Sequence, residues 1–336
     1  MKITPGRTWL AALLGVALLA IAAFVSLTLG VVRLTPEEAL RALLHPADAS
    51  VTASAVIWSI RLPRILVAML VGAALATVGA VMQAILRNPL AEPGVTGVSA
   101  GAAVGAVAGI TFGIAGSSQW AIPLAAFAGA ATVALVLQAV LSSRKDLGAA
   151  TIILVGVSIS ALAGALINLL VANAKDDALV RSALFWLAGD LELRGWEHVA
   201  LSAGPILLGL AYLLSRARPL DALALGEQVA ATSGVHVNRE RILLLLVASL
   251  VTGAAVAVSG VISFVGLVVP HAVRLLVGAS HARLLPISAL CGALFLVLAD
   301  TVARTAFGPV IVQTGVVSAL VGAPMFLFLL LRKQPA

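Results

Sequence analysis

Runs of about 20 apolar residues alternate along this chain with short polar connections. A helical run of that length crosses the ~30 Å hydrocarbon core of a bilayer. Most of the runs have no polar face, so they do not read as helices of a water-soluble bundle. The pattern predicts ten helical spans, at residues 8–32, 61–83, 96–113, 119–143, 148–172, 196–215, 241–264, 267–278, 283–304 and 311–331. The eighth is the shortest. Helices are required because backbone in hydrocarbon must satisfy its own hydrogen bonds, and the alternating segments of a barrel are absent. The first run is too long for the apolar part of a signal peptide and no small-residue cleavage site clearly follows it, so it reads as a retained span.

Composition agrees. The 336 residues are 61% hydrophobic and only 10% charged, with a mean hydropathy of +1.13. No long hydrophilic insert breaks the pattern, so one membrane domain, residues 1–336, is expected. Charge then sets orientation. With the N-terminus in the cytoplasm, 13 Lys and Arg fall on the inner side and 8 on the outer, while the acidic residues divide 5 to 9. That obeys the positive-inside rule and places both termini in the cytoplasm. The net charge of +7 therefore reports topology, and nucleic acid is not an expected partner. The single cysteine, Cys291, allows neither an intrachain disulfide nor a cysteine metal site and reads as packing.

One stretch resists this bland reading. "RLPR", residues 61–64, puts Arg61 and Arg64 on the outer side around a proline that looks like a helix start. Cations at a helix N-terminus oppose the helix dipole. Three residues apart, they share one helix face.

Two segments echo each other. "GAALATVG" (72–79) and "GAAVAVSG" (253–260) lie on spans running in opposite directions, the pattern of an inverted repeat. Gly97, Gly101, Gly105 and Gly109 recur every fourth residue, which predicts close helix packing by the third span. Other motifs mislead. "GVSAG" (97–101) has nucleophile-elbow spacing, but Ser99 lies among helical small residues. No lysine stands in a phosphate-binding Gly-Lys-Ser/Thr loop, so any ATP must bind a separate chain. His45 and His198 fall outside and His236, His271 and His281 at or near the inner side, with no metal-ligand pair on one helix. An ion-coupled secondary transporter would want a mid-membrane carboxylate. Asp300 is the main candidate, yet Arg304 four residues on suits a helical ion pair.

Residues 61–105, "RLPRILVAMLVGAALATVGAVMQAILRNPLAEPGVTGVSAGAAVG", resemble a hallmark of the bacterial permeases that import iron chelates and vitamin B12. So do "LGEQVAATSGVHV" (225–237), "VSGVISFVGLVVPHAVRLLVG" (258–278), "LADTVAR" (298–304) and "GVVSALVGAPMFLFLLLRK" (315–333), in the same order. The resemblance implies an all-α, ten-span inverted-repeat permease of an ABC importer, working as a homodimer in the bacterial inner membrane. Two ATP-binding cassette subunits would bind its cytoplasmic face and carry ATP and magnesium; this chain would bind no cofactor and perform no chemistry. A periplasmic binding protein would deliver the cargo: an iron chelate, with haem slightly ahead of a ferric siderophore, or else cobalamin.

The same resemblance assigns roles by position. Arg61, Arg64 and Arg304 would dock acidic residues of the binding protein, lipid anchoring being the plain alternative. Asn88, Leu90, Ser142 and Ser143, on loops 87–94 and 141–148, would line the cytoplasmic gate. The connection 219–237 would form two short coupling helices, with Leu225, Gly226, Glu227, Gln228 and Ala230 at the ATPase. Before the last span the family often reads Glu-Leu-Pro-Val/Ile-Gly, whereas this chain has "IVQTG" (311–315), so nothing is carried over to that loop.

Overall fold

The computed structural model describes residues 5–143, 149–306 and 312–331. Every regular element among them is helical. In chain order these are α1 (Pro5–Thr28), α2 (Pro36–Leu44), α3 (Val51–Ala55), α4 (Leu62–Ile85), α5 (Val98–Thr111), α6 (Ala121–Ser143), α7 (Ala149–Ala172) and α8 (Asp177–Leu187). The second half holds α9 (Trp196–Ser215), α10 (Ala217–Leu225), α11 (Glu227–Thr232), α12 (Val237–Ser259), α13 (Val265–Val277), α14 (His281–Thr305) and α15 (Thr314–Leu331). Among the described residues, seven helical stretches are long and apolar enough to cross a membrane, and α5, α13 and α15 supply three shorter apolar helices. These ten coincide with the ten expected spans. Lys2, Arg144, Lys145, Ile311, Arg332 and Lys333, used in the charge count or in loop comparison, lie outside the described residues.

The second span corrects one expectation. Pro63 does not begin the helix, which already runs from Val51 to Ile85. Proline has no N–H for the carbonyl four residues back, and its ring crowds that carbonyl. The chain meets this with a π-helical turn at Val56–Arg61, in which the Leu62 N–H donates to the Ile57 carbonyl. No exposed helix N-terminus therefore faces Arg61 or Arg64, and the dipole penalty does not arise there.

Within the chain, α4 and α12 form the centre. Their apolar windows are 78% and 72% buried, against 17% for α1 and α7. The echoed glycine segments lie on this central pair. The packing repeats with them: α5 packs on α6 and α13 on α14, α6 on α12 and α14 on α4, α5 on α7 and α13 on α15. The packing of α4, α5, α6 and α7 thus recurs with α12, α13, α14 and α15 in their places. Five spans separate equivalents, and an odd number of crossings reverses direction, which is the inverted repeat. Lipid gives no hydrophobic drive to such packing, so close backbone approach has to do the work. Gly72 of α4 and Gly292 of α14 meet so closely that a Cβ on either would run into the other's carbonyl.

Candidate functional site

At one end of the bundle, charged side chains of the α4 stretch and α14 converge with polar groups of α1 and α15. Asp300 of α14 is almost fully buried and accepts Arg64 Nε at 3.0 Å and Arg64 Nη2 at 2.7 Å. Thr314 of α15 donates its hydroxyl to the same carboxylate at 2.9 Å, and Arg304 Nε lies 3.7 Å away. Arg304 otherwise donates to the Leu29 carbonyl at 2.7 Å and to the Ser26 carbonyl and hydroxyl, both at 2.5 Å. Arg61 is 5% exposed and donates to the Leu27 and Val32 carbonyls. Both arginines thus hold the C-terminal end of α1, where unpaired carbonyls and the dipole favour a cation. Gly30 threads between them at φ 149°, and a Cβ there would sit 2.8 Å from Arg61 Nη2. Arg61 and Arg64 share a sequence spacing yet serve different partners.

Arg304 and the exposed Arg33 line a pocket of about 640 Å³ at this rim. A larger cavity of about 820 Å³ opens between α5, α6, α8 and the α8–α9 connection, and holds Arg181, Asp190, Glu192, Arg194, Glu197 and His198. Burial pushes the Asp190 carboxyl above the usual carboxylate range, against the pull of Arg64. Trp58 and Trp196 stack nearby with ring centroids 6.5 Å apart, and the Trp196 indole donates to the Trp58 carbonyl at 2.7 Å. Paired tryptophans of this kind suit a membrane interface.

Deeper in, α5 and α13 occupy equivalent places in the two halves, and both are too short to cross alone. Each follows irregular backbone. Such backbone is tolerated at membrane depth only where protein covers it, and short spans at matching places point to a transporter's pathway. The two segments touch, since a Cβ on Gly266 would press on the Pro93 ring. The Glu92 carboxylate accepts the backbone N–H of Phe264, the residue that caps α13 at φ 71°. The gate candidates lie at two helix ends, after α4 and at the close of α6. Asn88 Oδ1 accepts the Leu90 N–H at 2.9 Å, leaving the Leu90 side chain 48% exposed. Ser142 and Ser143 are exposed at the end of α6 and donate to the Ala139 and Val140 carbonyls at 3.1 and 2.8 Å. Residues 144–148 of that loop lie outside the described residues.

The connection after α9 does form two short helices, α10 and α11, bent at Gly226, whose φ of 125° suits glycine. Leu225, Glu227 and Gln228 are exposed on the pair, whereas Ala230 is fully buried and packs it onto the body. The pair is fastened firmly. Asp221 of α10 caps the start of α14, accepting the His281 backbone N–H at 2.8 Å and contacting His281 Nδ1 at 2.6 Å. Arg216 pairs with Glu240, and Glu227 with Arg241 and Arg87.

This architecture has matches among known proteins. Residues 18–332 match the FecCD transport family. The chain belongs to the FecCD transport family. A cobalamin import permease of Halobacterium salinarum is 48% identical over 284 residues, covering 84% of this chain and 75% of that protein. The Fe(3+) dicitrate permease FecD of Escherichia coli is 40% identical over 294 residues, covering 88% of this chain and 91% of its own. A solved inward-facing transporter, assigned to the metal-chelate ABC type, superposes with a TM-score of 0.86 at 33% identity, over 98% of this chain and 100% of its own. A FecCD-family chain is a permease of an ABC importer, and that is the function class here.

For this FecCD permease, sequence reasoning found Arg61, Arg64 and Arg304 but missed what they touch. The local spacing pairs Asp300 with Arg304, and that contact forms at 3.7 Å, yet the closest partner of Asp300 is Arg64, 236 positions away. No local pattern could signal that pairing. The same holds for Asp221 with His281, and for Arg87 with Glu227.

Proposed function

We propose that this FecCD permease imports a large metal chelate across a bacterial inner membrane, as a homodimer with both termini in the cytoplasm. ATP and magnesium act on two separate cassette subunits held at α10 and α11, and this chain binds no cofactor of its own. The match over residues 18–332 carries the reading. A binding protein on the outer side hands over the cargo. Arg304 and the exposed Arg33 support that role by lining the rim pocket, where they offer positive charge to acidic side chains, while Arg64 is paired with Asp300 and Arg61 is buried on the Leu27 and Val32 carbonyls. Nucleotide-driven movement enters through the helix pair and opens or closes the passage near Asn88, Leu90, Ser142 and Ser143.

For the cargo, 48% identity to a cobalamin permease favours a corrinoid over the iron chelate expected from the motifs. The iron-chelate reading rests on the 40% identity to FecD. The test is ATPase activity of the liposome-reconstituted complex with its binding protein, offered cobalamin, haem and ferric citrate in turn. Stimulation by cobalamin alone supports the corrinoid reading. Stimulation by haem or ferric citrate alone replaces it with iron, and a wild-type chain that captures no ATPase subunit overturns the importer reading itself.

A further inference from the structure

Arg87 stands directly after α4 and has the left-handed backbone that glycine normally provides, at φ 48°. The local bonds show why. Its N–H donates to the Ala84 carbonyl at 3.3 Å, and the Asn88 N–H reaches back to the Gln83 carbonyl at 3.1 Å. Those two bonds are the Schellman ending of a helix, whose positive-φ site favours glycine. An arginine here strains the backbone, so its side chain needs a use that offsets the strain.

That side chain reaches the α10–α11 junction. Arg87 Nη2 lies 4.0 Å from Glu227 Oε1, and a Cβ on Gly226 would be 3.8 Å from Arg87 Nη1. The same Glu227 oxygen pairs with Arg241 at the start of α12. Arg87 and Glu227 side chains are 47% and 45% exposed, and ion pairs that open to water contribute little to stability. Static stability is therefore a poor reason for an arginine at a glycine position. Position is a better one. The next residue, Asn88, begins the gate candidates, and Gln83 one turn back donates to the Leu267 carbonyl of α13 and accepts from Arg274.

We propose that Arg87 is a positioning residue that transmits movement of the α10–α11 pair, through Glu227, to the end of α4 and the adjoining gate loop. The inference rests on the reading of α10–α11 as the ATPase dock. Cargo binds elsewhere and Arg87 touches none of it; what Arg87 sets is how much cargo moves per ATP hydrolysed.

The experiment compares wild type with Arg87→Gly in the reconstituted importer, measuring ATPase capture, ATP hydrolysis, cargo uptake and melting temperature. Glycine relieves the strained φ, so Arg87→Gly keeps or raises the melting temperature and still captures the ATPase. Uptake per ATP falls about five-fold, within the range by which single side chains modulate coupling. Arg87→Lys, which keeps a cation facing Glu227, retains at least about half of the wild-type uptake per ATP. Three results overturn the proposal: unchanged uptake per ATP, loss of ATPase capture, or a melting temperature that falls together with uptake. A wild-type chain that neither captures an ATPase nor imports would instead refute the importer reading, so the two failures are distinguishable.

Discussion

Replacing Asp300 with alanine tests the charge cluster around Arg64 most directly. In the native chain its carboxylate is almost wholly buried and takes Arg64 Nε and Nη2 at 3.0 and 2.7 Å, plus the Thr314 hydroxyl at 2.9 Å. Alanine leaves the Arg64 guanidinium, 15% exposed, with its charge unpaired. Removing one partner of a buried ion pair costs about 3–5 kcal/mol. For a chain of this size that is a fall in melting temperature on the order of 5–15 °C. Removing both partners is different, because no charge is then stranded. Asp300→Ala combined with Arg64→Leu is expected to recover at least about half of the loss. Thermal unfolding of detergent-purified protein, read by intrinsic tryptophan fluorescence, measures all three variants. The exposed Glu37–Arg41 pair, 81% and 55% exposed, supplies the control, since Glu37→Ala should shift melting by less than about 1 kcal/mol. An Asp300→Ala shift no larger than that control, or a double variant worse than the single, refutes the claim that Asp300 neutralises Arg64.

Two further predictions concern packing and the short spans. Gly72→Ala and Gly292→Ala each force a methyl against backbone and should lower stability by about 1–3 kcal/mol, whereas Gly164→Ala, with no atom within 4 Å of its new Cβ, should melt like wild type. Glu92→Gln keeps an acceptor for the Phe264 N–H and should be nearly neutral, while Glu92→Ala strands that N–H and should cost about 1–3 kcal/mol in the same melt. Equal effects from the two Glu92 variants would show that the bond to Phe264 contributes nothing.

The linear order of residues was enough to set the number of spans, since seven need only about 20 apolar residues in a row, a length the bilayer imposes, and three shorter apolar runs complete the ten. It determined the inverted repeat as well, because close helix contact in lipid demands small residues and these recur as glycine and alanine in "GAALATVG" and "GAAVAVSG". It placed the two short helices at 219–237 and marked Glu227 and Gln228 as exposed, by resemblance. Where the charges went was settled by packing in three dimensions. Arg61 and Arg64 are three positions apart, yet one seals the end of α1 and the other neutralises Asp300. Pro63 likewise reads locally as a start, whereas the helix beginning at Val51 absorbs it in a π turn. The reason is physical. Span length and small-residue spacing are local requirements written in consecutive residues, whereas a buried charge takes whichever opposite charge or carbonyl the packed helices bring within about 3 Å.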